Sequence, residues 1–246
     1  MQTLTWQESW RGIIQKLSTV SDLGDEQRLI ERLSAPQSTT VLGFVNAHAM
    51  NLVAGNADYY QALSSADVLL RDGSGMAILF RRLGLVPGMN MNGTDFIPKL
   101  LVAFQGRRVA FWGTQEPFLA SAVRRSESQF GVDVVSAHHG FDEIDAYIAL
   151  AQRLRPELIV LGMGMPRQEQ VAARIAVSRM PCLVVCGGAI LDFLGGKVTR
   201  APLWVRRLGC EWLFRLGLEP RRLFQRYVVG NPLFLLRTFS WRNASV

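Results

Sequence analysis

The chain has little of what marks several large classes of protein. Its 246 residues include only three cysteines, Cys182, Cys186 and Cys210. That is too few for a disulfide framework, and none stands at C-x-x-C spacing, so a reduced compartment is expected. The opening MQTLTWQESWRG lacks the basic and apolar regions of a signal peptide. No stretch reaches the ~18 uninterrupted apolar residues of a membrane span, and the longest candidate, Met180 to Leu194, is broken by Asp192. The expectation is a chain neither secreted nor membrane-spanning. No Walker A sequence is present, which argues against a P-loop ATPase. Gly162-x-Gly164 lacks the third glycine of a dinucleotide fingerprint, since Arg167 stands there, and this disfavours a dehydrogenase. His138-His139 shows no cysteine or carboxylate at ligand spacing, so no metal site is expected. Repeats and low-complexity segments are absent too.

What remains is a globular composition, 49% hydrophobic and 19% charged, at the upper size of a single core. Apolar runs at Thr40–Val45, Val68–Leu70, Arg108–Trp112, Val132–Val135, Leu158–Leu161 and Cys182–Cys186 alternate with amphipathic stretches. These stretches, His48–Leu63, Gly75–Leu83, Phe118–Gln129, Glu143–Leu154 and Arg167–Ser178, read as helices. The alternation predicts an α/β fold, a Rossmann-like parallel sheet with helices on both faces.

Charge divides the chain. The net charge is +7, yet residues 1–196 carry 17 basic against 18 acidic side chains, and residues 197–246 carry ten against two. This C-terminal segment is also aromatic, with Trp204, Trp212, Phe214, Phe224, Tyr227, Phe234, Phe239 and Trp241. Trp204, Leu208, Trp212 and Leu216 fall on one helical face, beside a stripe of Arg207, Glu211 and Arg215. A second short helix after Pro220 would carry Arg222 and Arg226 together, and Arg237 is expected at the surface. Rings and cations together suit an anionic bilayer surface. An ordinary packed helical subdomain with a solvated basic face is the plainer alternative. No nucleic-acid-binding motif accompanies the charge.

Ligands of such sheets bind beyond the carboxyl ends of the strands. The residues there are Asn46, Asp72-Gly73-Ser74-Gly75, Gly113-Thr114, Gly162-Met163-Gly164-Met165-Pro166-Arg167-Gln168-Glu169 and Cys186-Gly187-Gly188-Ala189. Several polar or glycine-rich turns on one rim suggest a nucleotide-type ligand. Each has a plain reading as well: Asp72-Gly73 as a turn pair, His48 as a core histidine, and Gln168-Glu169 as first-turn polarity.

Taken together these turns resemble the WecG/TagA/CpsF glycosyltransferases. The resemblance runs through Gly93-Thr94-Asp95, Gly187-Gly188-Ala189-Ile190-Leu191-Asp192-Phe193 and the long match from Gly196-Lys197-Val198-Thr199-Arg200-Ala201-Pro202 to Glu219-Pro220-Arg221-Arg222. It implies an inverting transfer from a UDP-sugar to a polyprenyl-diphosphate-linked saccharide. It also implies a catalytic domain over residues 1–196, with a basic, aromatic helical appendage over 197–246 that completes the active site and holds a membrane. Asp72 matches the family's proposed base, with Asp95 next in line. On the donor side the resemblance implies Asn46, Gly73, Gly75, Asn90, Thr94, Asp95, Gly162, Gly164, Pro166, Gln168, Glu169, Gly187, Gly188 and Asp192. Arg215, Arg222 and Arg226 would hold the diphosphates without a metal, and no cofactor is implied.

The implied place is cytoplasmic, on the inner face of the cytoplasmic membrane, with no nucleic-acid partner and the oligomeric state, homo-oligomer included, left open. Two departures, Phe44 in place of a family threonine and Asn90 in place of an arginine, fall near the expected sugar pocket. Met-Asn-Gly-Thr-Asp-Phe looks more like exopolysaccharide members that transfer glucose. A catalytically degenerate nucleotide-binding regulator of the same fold is the alternative that these departures motivate.

Overall fold

The computed structural model describes residues 4–241, apart from the side chain of Arg207. Seven strands form one sheet: β1 (Leu17–Ser18), β2 (Thr40–Val45), β3 (Val68–Arg71), β4 (Arg108–Gly113), β5 (Asp133–His138), β6 (Leu158–Gly162) and β7 (Leu183–Cys186). Their order is β1-β3-β2-β7-β6-β4-β5, and every pairing is parallel. Buried on both sides, the central strands read as continuous apolar runs. All six predicted strands are present, including β5 at the sheet edge, which is part-exposed. Alternate residues serve opposite faces: Val41 and Val45 join one core, Leu42 and Phe44 the other.

The first face is covered by α1 (Trp6–Lys16), α3 (Ala47–Val53), α4 (Ala57–Ser64), α5 (Ser74–Arg82), α8 (Ile144–Leu154) and α9 (Arg167–Ala176). The second carries α2 (Leu23–Ser34), α6 (Gly93–Ala103), α7 (Phe118–Phe130) and α10 (Ile190–Leu194). Connections that step toward β1 use the first face and those that step toward β5 use the second, as right-handed crossovers require, the long β3-to-β4 connection reaching the second face with α6 after α5 on the first. The chain therefore leaves β6 and β4, which are neighbours, toward opposite faces, and likewise β2 and β7. Loops that part in this way open a crevice at the carboxyl ends of the strands.

Several expectations change. The single helix over His48–Leu63 is two, because Asn56 follows Gly55 and caps a new helix by accepting from the Tyr59 N–H at 2.8 Å. Helix α6 was not foreseen; Asn92 caps it on the Asp95 N–H at 2.9 Å. The C-terminal stripe does not lie on one helix. Gly209, at φ +70°, separates α11 (Leu203–Arg207) from α12 (Glu211–Leu218). The stripe residue Arg207 has its side chain outside the described set.

Pro220 opens α13 (Pro220–Phe224), which runs through a π-helical turn, Gln225–Val229, into α14 (Gly230–Ser240). Helix α14 docks on the first face, where Phe234 and Trp241 are buried against Trp10 at ring distances of 5.3 and 5.8 Å. Arg237 is not free at the surface: it donates to Asn51 Oδ1 at 3.1 Å and lies over Trp6.

Candidate active site

Asn46 and Asp72 stand side by side where β2 and β3 end. The Asp72 N–H continues the ladder to the Val45 carbonyl at 2.8 Å, and Asn46 Nδ2 donates to the Asp72 carboxylate at 3.3 Å. Asn46 Oδ1 meanwhile caps α3 on the Ala49 N–H, so one side chain both starts a helix and aims the carboxylate. Burial raises the Asp72 carboxyl above its ordinary range. The Asn46 hydrogen bond and the charges of Arg226, Arg215 and Arg71 oppose the rise without cancelling it.

The turn after Asp72 is held from beneath. Buried Arg71 donates to the carbonyls of Pro87, Gly73 and Gly88 at 2.7, 3.0 and 3.1 Å, clamping the loop that follows α5. The Gly73 N–H donates to Asn90 Oδ1 at 2.7 Å. Asn90 thus braces the Asp72-Gly73 turn. Phe44 packs in the second core, 6.5 Å from the Phe96 ring and against Gly93. Its side chain lies in that core, against the start of α6.

On the β6 and β7 side, the glycines supply room more than hydrogen bonds. The N–H groups of Gly164 and Gly188 both donate to Gln168 Oε1, at 3.2 and 2.9 Å, and that of Gly187 donates to the Leu161 carbonyl at 2.8 Å. With Gly73 engaged as well, four N–H groups that could have met a phosphate are bonded within the protein. Gly164 and Gly188 have positive φ, +81° and +59°, and open space where a side chain would begin. Gly162 instead makes way for Leu191, and Gly75 for the Phe234 ring and Ala47, each at 3.4 Å in the second case. Pro166 directly precedes α9. Buried Asp192 accepts from the Thr114 hydroxyl at 2.6 Å and pairs with Lys197 at 3.2 Å.

Apart from Arg71, the positive charge acting on Asp72 comes from the C-terminal segment. Arg215 and Arg226 act on Asp72, whereas Arg222 lies 3.8 Å from Asp192 and 2.5 Å from Glu219. Arg222 and Arg226 therefore serve different ends of the cleft, although sequence spacing put them together. Arg200 and Arg206 reach Asp95 at 2.6 and 3.5 Å, and Arg200 also faces Glu211 at 3.8 Å. Burial pushes the Asp95 carboxyl up, but hydrogen bonds from Arg200 and Asn92 and the charges of Arg200 and Arg206 outweigh it and hold it low. A carboxylate so paired is a poor base. Thr94, with Pro98, Phe193, Arg125 and Arg200, lines a cavity of about 350 Å³ next to this pair.

Buried Nε atoms of Arg200, Arg206, Arg215 and Arg226 have no hydrogen-bond partner among the described residues. Buried donors of this kind call for acceptors, and an anion meets several at once.

His48, read from sequence as a core histidine, is half-buried on α3 near Arg226. Burial and that charge lower its pKa to about 4, so it is neutral at physiological pH. The carboxylate missed beside His138-His139 is Asp142, and the ligand atoms of the three lie within 4.8 Å of one another. This is where a metal could be held, yet the hydrogen bonds point elsewhere. The Phe141 N–H donates to His139 Nδ1 at 3.4 Å, which leaves a neutral ring's proton on Nε2, facing Asp142. His138 pairs with the same carboxylate, and Arg167 donates to the Asp142 carbonyl. The Arg167 cation beside the cluster disfavours a divalent ion there.

The family described as "Glycosyl transferase WecG/TagA/CpsF family" matches residues 16–245. The chain belongs to that family. It is similar to the N-acetylglucosaminyldiphosphoundecaprenol N-acetyl-beta-D-mannosaminyltransferase of Bacillus subtilis strain 168, with 25% identity over 186 residues, 74% of this chain and 73% of the relative. An enzyme of the same name from Bacillus spizizenii strain W23 is 27% identical over 195 residues, covering 77% and 75%.

For this glycosyltransferase, sequence reading had missed His48, Arg71, Arg200 and Arg206 as parts of the cleft. Their partners lie across folds of the chain that residue spacing does not report. The signal available was the Gly196–Pro202 match, which contains Arg200. Among the described residues no helix is long and apolar enough to cross a membrane.

Proposed function

We propose that this glycosyltransferase moves a sugar, with inversion, from a UDP-sugar to a hydroxyl of a polyprenyl-diphosphate-linked saccharide, in cell-surface or exopolysaccharide synthesis. The observation that carries the reading is the half-buried Asp72 carboxyl facing Arg215 and Arg226, beside glycine turns open to the cleft. Asp72 takes the acceptor hydroxyl's proton as the new glycosidic bond forms and the sugar–phosphate bond breaks. Its raised pKa makes it a stronger base than an ordinary aspartate. The open turns at Gly164 and Gly188 and the Asp192 region receive the donor. Arginines with unpartnered N–H groups stabilise the departing UDP and hold the acceptor's diphosphate, which supplies charge and directed hydrogen bonds together.

The relatives' names, which specify a lipid-diphosphate acceptor, support this acceptor class. The Met-Asn-Gly-Thr-Asp-Phe wording supports an exopolysaccharide setting. Exposed Leu203, Trp204, Leu208, Leu213, Phe224, Leu236 and Phe239, interleaved with cations such as Arg221, support docking on the inner face of the cytoplasmic membrane. A degenerate, regulatory protein is less well supported, because Asn90 braces the Asp72 turn and Phe44 fills a core. The test is UDP release from a panel of UDP-sugars with a short lipid-diphosphate acceptor. Release that requires the acceptor supports the reading, and acceptor-independent or absent release across the panel counts against it.

A further inference from the structure

Gln168 and Glu169 open α9, where polar side chains are ordinarily solvated, yet they are only 1 and 2% exposed. Gln168 Oε1 accepts from the β6 turn at Gly164 and the β7 turn at Gly188, while its Nε2 donates to Glu169 Oε1 at 2.8 Å. One amide thus ties together two turns that leave adjacent strands toward opposite faces of the sheet. An amide has two orientations, and the reversed one would set its NH₂ against two N–H groups. The two N–H donors at Oε1 and the Glu169 acceptor at Nε2 select the working orientation together, and without Glu169 the buried NH₂ has no partner to hold it.

Glu169 Oε2 has no partner among the described residues, nor has the hydroxyl of fully buried Tyr59. Burial and then the Glu169 charge raise the Tyr59 hydroxyl's pKa, so the two buried groups lie within electrostatic reach of each other. Both glycine turns have open space where a side chain would begin, whereas Glu169 is buried.

We propose that Glu169 is a positioning residue for donor binding: it fixes the Gln168 amide, and the amide holds the Gly164 and Gly188 turns at the separation that the nucleotide diphosphate fits. This rests on the reading that the turns receive the donor. Glu169 itself does not touch it. Glutamine in its place keeps an acceptor for Gln168 Nε2, whereas leucine removes it while filling similar space.

The experiment is calorimetric titration of UDP into wild type, E169Q, E169L, Q168M and the double variant E169L/Q168M, with melting curves alongside. E169M replaces E169L should the branched side chain prevent folding. Expected are a UDP affinity reduced about tenfold in E169L, retention within about threefold in E169Q, and a loss in Q168M similar to E169L. The double variant should lose no more than either single one, because both changes break the same bridge. In turnover, E169L should raise the donor KM and leave the acceptor KM unchanged, a split that mere loss of stability does not produce. E169L binding UDP as tightly as wild type, or losses that add in the double variant, would overturn the inference alone. Failure of wild type to bind UDP would overturn the donor reading, and this inference with it.

Discussion

Phe234→Ala tests whether the docking of α14 delivers the arginines to the cleft. The Phe234 ring is 1% exposed, lies 5.3 Å from the Trp10 ring and fills the space that Gly75 leaves open. Removing a fully buried phenyl costs about 3–5 kcal/mol, part lost transfer energy and part cavity. Because Phe234 and Trp241 share a core with Trp10, Ala49 and Met50, that cost should appear in global denaturation. The functional consequence runs through Arg226, which precedes α14 by one turn and acts on both His48 and Asp72. His48 is held near 4 by burial and by that charge, so loosening the segment should raise its pKa toward the ordinary 6.5.

The assay is an NMR titration of the imidazoles, with His48→Gln to assign the resonance, beside UDP binding and turnover below the melting transition. Expected are a raised His48 pKa, turnover reduced at least about tenfold, and UDP binding weakened as the arginines that meet its diphosphate move away. A variant that loses stability while His48 still titrates near 4 and turnover stays intact would show that the arginines do not depend on this docking.

Turnover is expected to persist in excess EDTA. The cleft carboxylates Asp72, Asp95 and Asp192 each already face arginine or lysine, and a chelation loss restored by Mg²⁺ or Mn²⁺ would contradict this. Arg222→Ala should lower turnover while leaving vesicle binding intact. Trp204→Glu with Leu208→Glu should do the reverse, releasing the protein from anionic vesicles without slowing a soluble acceptor; co-sedimentation beside UDP release separates the two. Glu169, raised by burial to about 7 against 4.5 unfolded, binds its proton more tightly when folded. Its stabilising contribution is full below pH 4.5 and is lost as pH rises through 7, by roughly 3 kcal/mol. Chemical denaturation of E169Q should therefore show a stability advantage over wild type that grows from pH 5 to pH 8, and parallel profiles would contradict it.

The strands were legible because burial on both faces leaves an unbroken apolar run, as in Leu158–Leu161. Their carboxyl ends then named Asn46, Asp72 and the glycine turns without further help. Strand β1 was not legible, since its two residues carry no period. Helix α6 was hidden by Asn92-Gly93 and Pro98, residues that ordinarily mark loops. The C-terminal stripe misled because a period of four survives in sequence even where Gly209 turns the chain.

Side-chain partnerships were the least legible of all. Arg200 meets Asp95, and Arg237 meets Asn51. No spacing rule joins residues more than a hundred positions apart. Gln168-Glu169 read as first-turn polarity because burial of a helix start is a tertiary event.

The central claim is that Asp72 is the base of a transfer from a UDP-sugar. The most direct test is UDP release by wild type and Asp72→Asn, with a short lipid-diphosphate acceptor and with UDP-glucose, UDP-N-acetylmannosamine and its uronic acid as donors, beside calorimetric binding of UDP. The account predicts acceptor-dependent release by wild type, a fall of about 10²–10⁴-fold in the folded variant, and UDP affinity left largely unchanged. Near-normal turnover by folded Asp72→Asn would contradict it.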